Sequence, residues 1–372
     1  MSSPRRPRVV ALGGGHGLYA MLQALVGLDV DITAVVTVAD DGGSSGRLRR
    51  EVPGILPPGD LRMALSALSR DDGAGPLWSS TFQHRFGGQG ALAGHPVGNL
   101  LLVGLTQVTG DPVAALDAAG DMLGARGRVL PMSTIPLDIA AEVEGLDEDP
   151  TALRRIRGQV AVASTPGRVR SVSLEPADAP ACPQALAAIA AADLVTLGPG
   201  SWFTSVLVHL LLPELAAALQ ATTAHRLLAL NLVAQPGETD GFSPEQHLDV
   251  LAAHAPDLRL DTVLADRGAV SLPGRLSRAA EGLGARVVLD DIAVPGEDRH
   301  DTRALSRSLD RILSRGPVSA SGSAPPDAGP SRPGTPPGRT PADAGDRVRT
   351  AETDGPTGIG PAVGVREGAR WR

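Results

Sequence analysis

The 372-residue chain contains one cysteine, Cys182, and no lysine. A single cysteine excludes an intrachain disulfide, a zinc site built from cysteines and an iron–sulfur cluster, which fits a reducing cytosol. The absence of lysine excludes a Walker-type phosphate loop and Schiff-base chemistry. Because Cys182 stands between Pro180 and Pro183, we expect this segment to be a surface loop.

Long hydrophobic runs and an excess of basic charge are also missing. The longest apolar stretch, residues 203–218, is interrupted by His209, Pro213 and Glu214 and is shorter than the roughly 20 residues that cross a bilayer. We expect it to be a buried helix, and we expect no membrane span. The net charge of −7 without a basic run argues against a nucleic-acid partner. No signal-peptide pattern is evident, so we expect a cytoplasmic protein.

What is present is an alternation of short valine- and leucine-rich runs with longer helical patterns. This alternation predicts an α/β, Rossmann-like fold, with a mainly parallel sheet and helices on both faces. The predicted strands are 8–12, 32–38, 193–197, 226–232, 262–265 and 286–289. A helix is predicted over 17–26, and another begins at Ser243, which has proline next and glutamine three residues on.

Two regions depart from this alternation. Residues 137–143, 159–163 and 169–174 resemble short hairpin strands, so we predict a β-rich antiparallel extension over about 129–175. From residue 316 to 372 the chain is rich in proline and glycine and lacks aliphatic runs, which predicts a disordered tail. Residues 1–315 would then form the folded domain.

The first candidate site is the glycine turn that follows the first predicted strand. Backbone N–H groups in such a turn, together with a helix N-terminus, can hold a phosphate, and glycine permits its close approach. A tight turn without any ligand remains the alternative. The candidate phosphate-binding residues are Gly13, Gly14, Gly15, His16 and Gly17.

A second polar segment, residues 38–47, ends the second predicted strand. The adjacent carboxylates of Asp40 and Asp41 can hold ribose hydroxyls or a divalent cation such as Mg²⁺. Ser44, Ser45 and Arg47 suit an anion-binding turn. The alternative is an ordinary Asp-Asp-Gly-Gly turn.

Two further segments lead into apolar helices, residues 57–62 and 94–99. Asp60, His95 and Asn99 could bind the ligand as hydrogen-bonding groups, or Asp60 and Asn99 could be helix caps. An arginine near a diphosphate, either Arg47 or Arg62, would supply charge-assisted hydrogen bonds.

The second half of the chain contains two comparable loops at strand ends, residues 198–205 and 231–241. Glu238 and Asp240 could form a general-base or metal pair, although acidic loops are usually solvated. One ligand cleft between the loops of both halves is the simplest interpretation. The candidate binding residues here are Gly198, Gly200, Ser201, Asn231, Gln235, Glu238 and Asp240.

Together these motifs resemble the YvcK branch of the CofD-like family, in order from residue 8 to about 313. The segment 33–49 is the most specific. The other matching segments are 10–18, 57–60, 98–100, 198–201 and 235–241.

The resemblance implies a Rossmann-like cytoplasmic protein that binds a UDP-activated amino sugar, of the UDP-N-acetylglucosamine type. That branch is associated with cell shape and envelope synthesis during growth on gluconeogenic carbon sources. Its sister branch, CofD, is a magnesium-dependent 2-phospho-L-lactate transferase that acts on a deazaflavin. Residues 198–205 lack the Gly-Pro-x-Asn-Pro turn of that transferase, and His16 replaces a more usual threonine.

We therefore expect a nucleotide-sugar-binding regulator, with no certain cofactor, a possible protein partner in envelope synthesis and a homo-oligomeric state. The rival hypothesis is a CofD-like phosphotransferase in which Asp40 and Asp41 hold magnesium. A third hypothesis, NAD-dependent redox chemistry, lacks the Gly-x-Gly-x-x-Gly spacing and ranks last.

Overall fold

The computed structural model describes residues 5–149, 151–235 and 238–314. The strands in this part of the chain are β1 Arg8–Gly13, β2 Asp31–Val36, β3 Gly127–Pro131, β4 Asp138–Glu144, β5 Leu153–Arg157, β6 Arg168–Glu175, β7 Leu194–Leu197, β8 His225–Ala229, β9 Thr262–Asp266 and β10 Arg286–Asp290. The α-helices are α1 Gly15–Val26, α2 Gly43–Glu51, α3 Pro58–Leu68, α4 Gly75–Gln83, α5 Val97–Thr109, α6 Pro112–Leu123, α7 Gln159–Ala163, α8 Pro183–Ala190, α9 Pro213–Ala221, α10 Pro244–His254, α11 Pro273–Gly282 and α12 Thr302–Ser314.

Seven strands form one parallel sheet in the order β10-β9-β8-β7-β1-β2-β3. The central strand, β1, pairs with β2 on one side and with β7 on the other, so that Val10 lies opposite both Thr33 and Val195. Four consecutive residues of β1, from Val9 to Leu12, are buried because helices cover the sheet. The fold is Rossmann-like, as the sequence predicts.

All six strands predicted outside the extension are present, with ends that differ by up to three residues. The predicted helix at 17–26 begins two residues earlier, at Gly15, and buries Leu18, Met21, Leu22 and Leu25 on one face. At α10 the capping box forms as predicted: the Gln246 side chain accepts a hydrogen bond from the Ser243 N–H at 2.8 Å.

The antiparallel extension is confirmed as a three-stranded sheet in the order β5-β4-β6, but two details of the prediction are wrong. Residues 127–131 belong to the main sheet, as β3, so the extension begins later than residue 129. Residues 159–163 form the short helix α7 instead of a strand. Gly158 has a φ of +103°, which turns the chain, and the Asp41 carboxylate accepts the Val160 N–H at 3.0 Å in the first turn.

Two further predictions in the second half need correction. Cys182 is fully buried at the start of α8, not in a surface loop, and burial raises the pKa of its thiol. The apolar stretch 203–218 is buried, but a π-helical turn at Trp202–Val206, a 3₁₀ turn at Leu207–Leu211 and then α9 replace one helix.

In the described residues no single helix is long and apolar enough to cross a membrane. One pair, Trp202–Leu211 with Pro213–Ala221, reaches the required length and apolar character only in combination, and it is bent by 79°. The predicted domain end at residue 315 and the predicted disordered tail, residues 316–372, lie outside the described residues.

Candidate functional site

The order of the sheet places a crevice between β1 and β7. From β1 the chain proceeds outward through β2 to β3, and it later returns to the other side of β1 as β7 before it proceeds outward to β10. Parallel sheets bind ligands at such a reversal, beyond the carboxyl ends of the strands. The glycine turn at residues 13–17 follows β1, and the turn at residues 198–201 follows β7.

These two turns touch each other. A Cβ atom on Gly17 would lie 2.1 Å from the Pro199 carbonyl oxygen and 2.7 Å from the Gly200 Cα. A Cβ on Gly14 would lie 2.6 Å from an Asp60 carboxylate oxygen. A side chain at Gly17 would therefore collide with the backbone of the other turn, and one at Gly14 would collide with buried side chains.

Beside this contact lies a cavity of about 360 Å³, a size that suits a small-molecule ligand. His16 and Gly17 line it, and their N–H groups, in the first turn of α1, form no hydrogen bond with any described residue. Free N–H groups at a helix N-terminus attract anions. The other lining residues are Tyr19, Ala20, Pro199, Gly200, Asn231, Leu232, Val233, Gln235, Asp298, Arg299, His300 and Thr302.

The sequence predictions missed one side of this cavity, residues 298–302. Arg299 and buried His300 precede α12, whose first turn is capped by the Asp301 carboxylate through the N–H groups of Arg303 and Ala304. The available signal was the polar run before an amphipathic helix. Neither Arg47 nor Arg62, the arginines predicted near the diphosphate, lines this cavity.

The polar side chains after β7 and β8 hold the backbone of their own loops. Asn231 accepts the Gly200 N–H at 2.9 Å and donates to the Gly200 carbonyl at 2.8 Å. The Gln235 side-chain oxygen accepts the Trp202 N–H at 3.2 Å. These two predicted ligand residues therefore position the turn that lines the cavity.

Glu238 has the same positioning role. It is buried, and its carboxylate accepts hydrogen bonds from the Ser201 hydroxyl, from the Thr204 hydroxyl at 3.1 Å and from the Phe203 N–H at 3.3 Å. Asp240 is exposed, so the structure does not bury the two carboxylates together. Both residues line a separate cavity beside Arg168.

The loop after β2 and the first turn of α3 place Asp40 and Asp60 near each other. Asp60 accepts a hydrogen bond from the Gly15 N–H, and a Cβ on Gly59 would lie 2.7 Å from both Asp40 Oδ2 and Ser45 Oγ. Burial, and secondarily the Asp40 charge, raises the pKa of Asp60 to about 7. Burial also raises the pKa of Asp40.

The second carboxylate of the predicted metal pair has a different partner. Asp41 accepts the Val160 N–H of α7, so it joins the loop after β2 to the antiparallel extension. Among the described residues, no three His, Cys, Asp or Glu side chains are grouped to hold a metal ion.

Behind these loops runs a chain of buried polar side chains. Arg62 Nε donates to Asn99 Oδ1 at 2.9 Å, and Asn99 Nδ2 donates to Ser44 Oγ at 2.9 Å. Ser44 Oγ lies 2.7 Å from His95 Nδ1. Burial, and then the nearby Arg47, lowers the pKa of His95, which favours the neutral imidazole as acceptor.

The alternative of Asp60 and Asn99 as helix caps is wrong. The cap positions of α3 and α5 are Pro57 and Pro96, and each polar residue is the third residue inside its helix. Their side chains instead reach groups on other elements.

Residues 9–301 match the family described as 2-phospho-L-lactate transferase CofD. The chain belongs to the CofD family. Within it, the chain is of the YvcK type, as its resemblance to the gluconeogenesis factors shows.

Two relatives span most of the chain. A Mycobacterium tuberculosis protein named "Putative gluconeogenesis factor" is 57% identical over 330 residues, which cover 86% of this chain and 96% of the relative. The "Gluconeogenesis factor" of Bacillus subtilis is 35% identical over 326 residues, covering 83% and 99%. A crystal structure of a Bacillus halodurans protein, 35% identical, has a TM-score of 0.74 and covers 82% of this chain and 99% of its own.

Proposed function

We propose that this CofD-family protein binds a UDP-activated sugar of the UDP-N-acetylglucosamine type in the crevice between β1 and β7. The observation that carries the proposal is the pair of unbonded N–H groups of His16 and Gly17 in the cavity wall. They would donate hydrogen bonds to the diphosphate at the N-terminus of α1. Arg299, in the same wall, would add charge-assisted hydrogen bonds.

Other residues of the cavity wall suit the base of a nucleotide-sugar. Tyr19 is the one tyrosine of the chain and is half-buried, so its ring offers an apolar face to a base. Asn231 and Gln235 hold the opposite turn in place, which would keep the cavity formed before the ligand arrives.

We propose a regulatory role for this binding, in cell shape and envelope synthesis during growth on gluconeogenic carbon sources. The proposal is supported by the similarity to proteins named gluconeogenesis factor. A cytoplasmic location, a protein partner in envelope synthesis and a homo-oligomeric state remain predictions.

Calorimetric titration of the full chain with UDP-N-acetylglucosamine tests the binding. Arg299→Gln should weaken it roughly tenfold or more, since a hydrogen bond to a charged group contributes about 1.5–3 kcal/mol. Arg303→Gln is the matched control, because Arg303 is exposed, lies four residues away and does not line the cavity. Absence of saturable binding by the unmodified chain would refute the proposal.

A second candidate function is CofD-type phosphotransfer, which the proximity of the Asp40 and Asp60 charges favours. Two carboxylates with raised pKa values, on either side of Gly59, fit a divalent cation, which would stabilise their charged forms. Mg²⁺ bound there would neutralise charge on a transferring phosphoryl group. Asp40 and Asp60 would hold it, and Asp41 would keep its bond to α7.

Incubation with a deazaflavin, an activated phospholactate and Mg²⁺, followed by mass spectrometry, tests this activity. A magnesium-dependent product that Asp60→Asn abolishes and Asp72→Asn preserves would establish the transferase. If no product forms at any magnesium concentration, the transferase function is refuted, and only the binding function proposed above stands.

A further inference from the structure

A group of basic side chains surrounds the first turn of α2, away from the cavity described above. Arg62 is only 4% exposed, and its Nη1 atom is buried without a hydrogen-bond partner in the described residues. Buried donors of this kind are nearly always paired in folded proteins. Arg62 is joined to α2 by one bridging side chain, since Asn99 contacts both Arg62 and Ser44.

The loop between α4 and α5 holds two more guanidinium groups in this region. Arg47 Nη2 donates to the Ala93 carbonyl at 2.7 Å, and Arg85 Nη1 donates to the Gly94 carbonyl at 2.9 Å. Neither arginine, nor Arg62, forms an ion pair with a described carboxylate. Each therefore keeps guanidinium N–H groups for another acceptor.

These positive groups are close enough to repel one another. Burial lowers the pKa of Arg62 to about 10, and the Arg85 charge acts in the same direction. His95 is affected in the same way by Arg47 and Arg85, after burial. The Asp60 and Asp40 charges act in the opposite direction on Arg62, and the Glu51 charge does so on His95. The positive groups are therefore only partly neutralised, and a bound anion would relieve the repulsion that remains.

The α2 N-terminus completes the arrangement. Its cap residue, Gly42, has no side chain, and the N–H groups of Ser44 and Ser45 form no hydrogen bond with a described residue. Three guanidinium groups and a helix N-terminus are the elements that recognise a phosphate group.

We propose that Arg47, Arg62 and Arg85, with the first turn of α2, form a second anion site that binds the phosphate group of a small molecule other than the nucleotide-sugar. Asp60 lies between the two sites, since it accepts the Gly15 N–H at α1 and is two residues from Arg62 on α3. The Asp60 side chain would therefore separate the two phosphate sites. This proposal goes beyond the binding function, because it requires a second ligand and Arg85, a residue outside the first cavity.

The test is a titration of the full chain with inorganic phosphate at constant ionic strength, followed by calorimetry and by the rise in melting temperature. Arg47→Gln and Arg85→Gln should each weaken binding by about tenfold, the effect of removing one charge-assisted contact. Both residues are at least partly exposed, so both variants should fold. Arg50→Gln, on the exposed face of the same helix, is the control and should bind like the unmodified chain.

Repeating the titration with saturating UDP-N-acetylglucosamine separates the two sites. Phosphate binding that persists, and that Arg299→Gln leaves unchanged, supports a second site. Competition between the two ligands, unchanged binding in Arg85→Gln, or no saturable phosphate binding would each overturn the proposal. Loss of nucleotide-sugar binding alone would refute only the function proposed above.

Discussion

The two halves of the chain contribute loops of similar composition to the crevice but use their polar residues differently. In the first half, residues 40–47, 57–62 and 94–99 bring together charged groups that are at least partly buried and whose pKa values are shifted, among them Asp40, Asp60 and Arg62. In the second half, Asn231 and Glu238 bond to the backbone of the turn after β7. The first half thus supplies the charged groups, and the second half supplies side chains that position a loop. The polar composition of the loops alone does not reveal this difference.

The largest effect is expected where the halves meet. Gly17→Ala would place a Cβ 2.1 Å from the Pro199 carbonyl, and overpacking of this kind should cost about 3 kcal/mol of unfolding free energy. Nucleotide-sugar binding should also be lost as the turns separate. Urea unfolding and calorimetry measure the two effects.

Gly104→Ala in α5 is the matched control, because no atom lies within 4 Å of the new Cβ. It should raise stability by roughly 0.5–1 kcal/mol, as alanine does in a helix. Equal stability of the two variants would show that the contact between the halves is not tight.

A smaller effect, which grows between about pH 4 and about pH 7, should distinguish the loops of the first half. Asp60 has a pKa of about 7 in the folded state, above its ordinary 3.8, so the folded protein binds this proton more tightly than the unfolded chain does. The unmodified protein therefore loses stability as pH rises from about 4 to about 7. Asp60→Asn cannot ionise, and we expect it to be more stable at pH 8 by on the order of 2 kcal/mol.

Thermal unfolding from pH 4 to pH 8 measures this difference. Asp72→Asn is the control. Arg70 lowers the pKa of Asp72, so ionisation of Asp72 stabilises the folded protein, and Asp72→Asn should not gain stability as the pH rises. If Asp60→Asn and the unmodified protein have the same melting temperature at every pH, Asp60 does not cause the loss of stability with rising pH.

Asn231 tests the second half. Asn231→Ala removes both hydrogen bonds to Gly200 and should cost about 1–2 kcal/mol. Asn231→Asp keeps the acceptor and loses the donor, so about half of that loss is expected. Unfolding in urea at several pH values should give the same loss for Asn231→Ala throughout. A pH-dependent loss would place Asn231 with the charged groups of the first half.

The smallest effect is expected at Asp41. This residue belongs to the first half, but it holds backbone in place, as Asn231 and Glu238 do in the second half. Asn at this position can still accept the Val160 N–H, so Asp41→Asn should cost only about 0.5 kcal/mol. Asp41→Ala leaves that N–H without its acceptor and should cost about 1 kcal/mol, as loss of a helix cap does. Melting temperatures of the two variants provide the measurement. The reverse order would indicate that the charge, and not the hydrogen bond, matters at Asp41.

The parts of the fold that were predictable are those with local signals. The run Val9–Leu12 is apolar throughout because both faces of its strand are covered, and the Ser243–Gln246 capping box sits at the start of its helix. The glycine turns were predictable for the same reason. In contrast, α7 depends on a hydrogen bond that its Val160 N–H donates to Asp41, 119 residues away, and no local pattern contains this bond.

The candidate site divides in the same way. Gly17, Gly200 and Asn231 were predicted and do meet at one cavity, since each follows a strand. Arg299 was missed because it follows no glycine turn and reaches the cavity only through the fold of the last strand and helix. The environment of Arg85 could not be predicted for a similar reason. Its guanidinium group donates to the Gly94 carbonyl, which lies nine residues away across the loop between α4 and α5.

The central position of β1 also has a consequence for folding. Its two neighbours come from distant parts of the chain, with Val9 opposite Ile32 on one side and Leu194 on the other. During synthesis β1 can pair with β2 early, but its other edge has no partner until β7 is made. Contacts so far apart in sequence slow folding, and an unpaired central strand is prone to aggregate. The crevice therefore forms only late in folding, when β7 has paired with the free edge of β1.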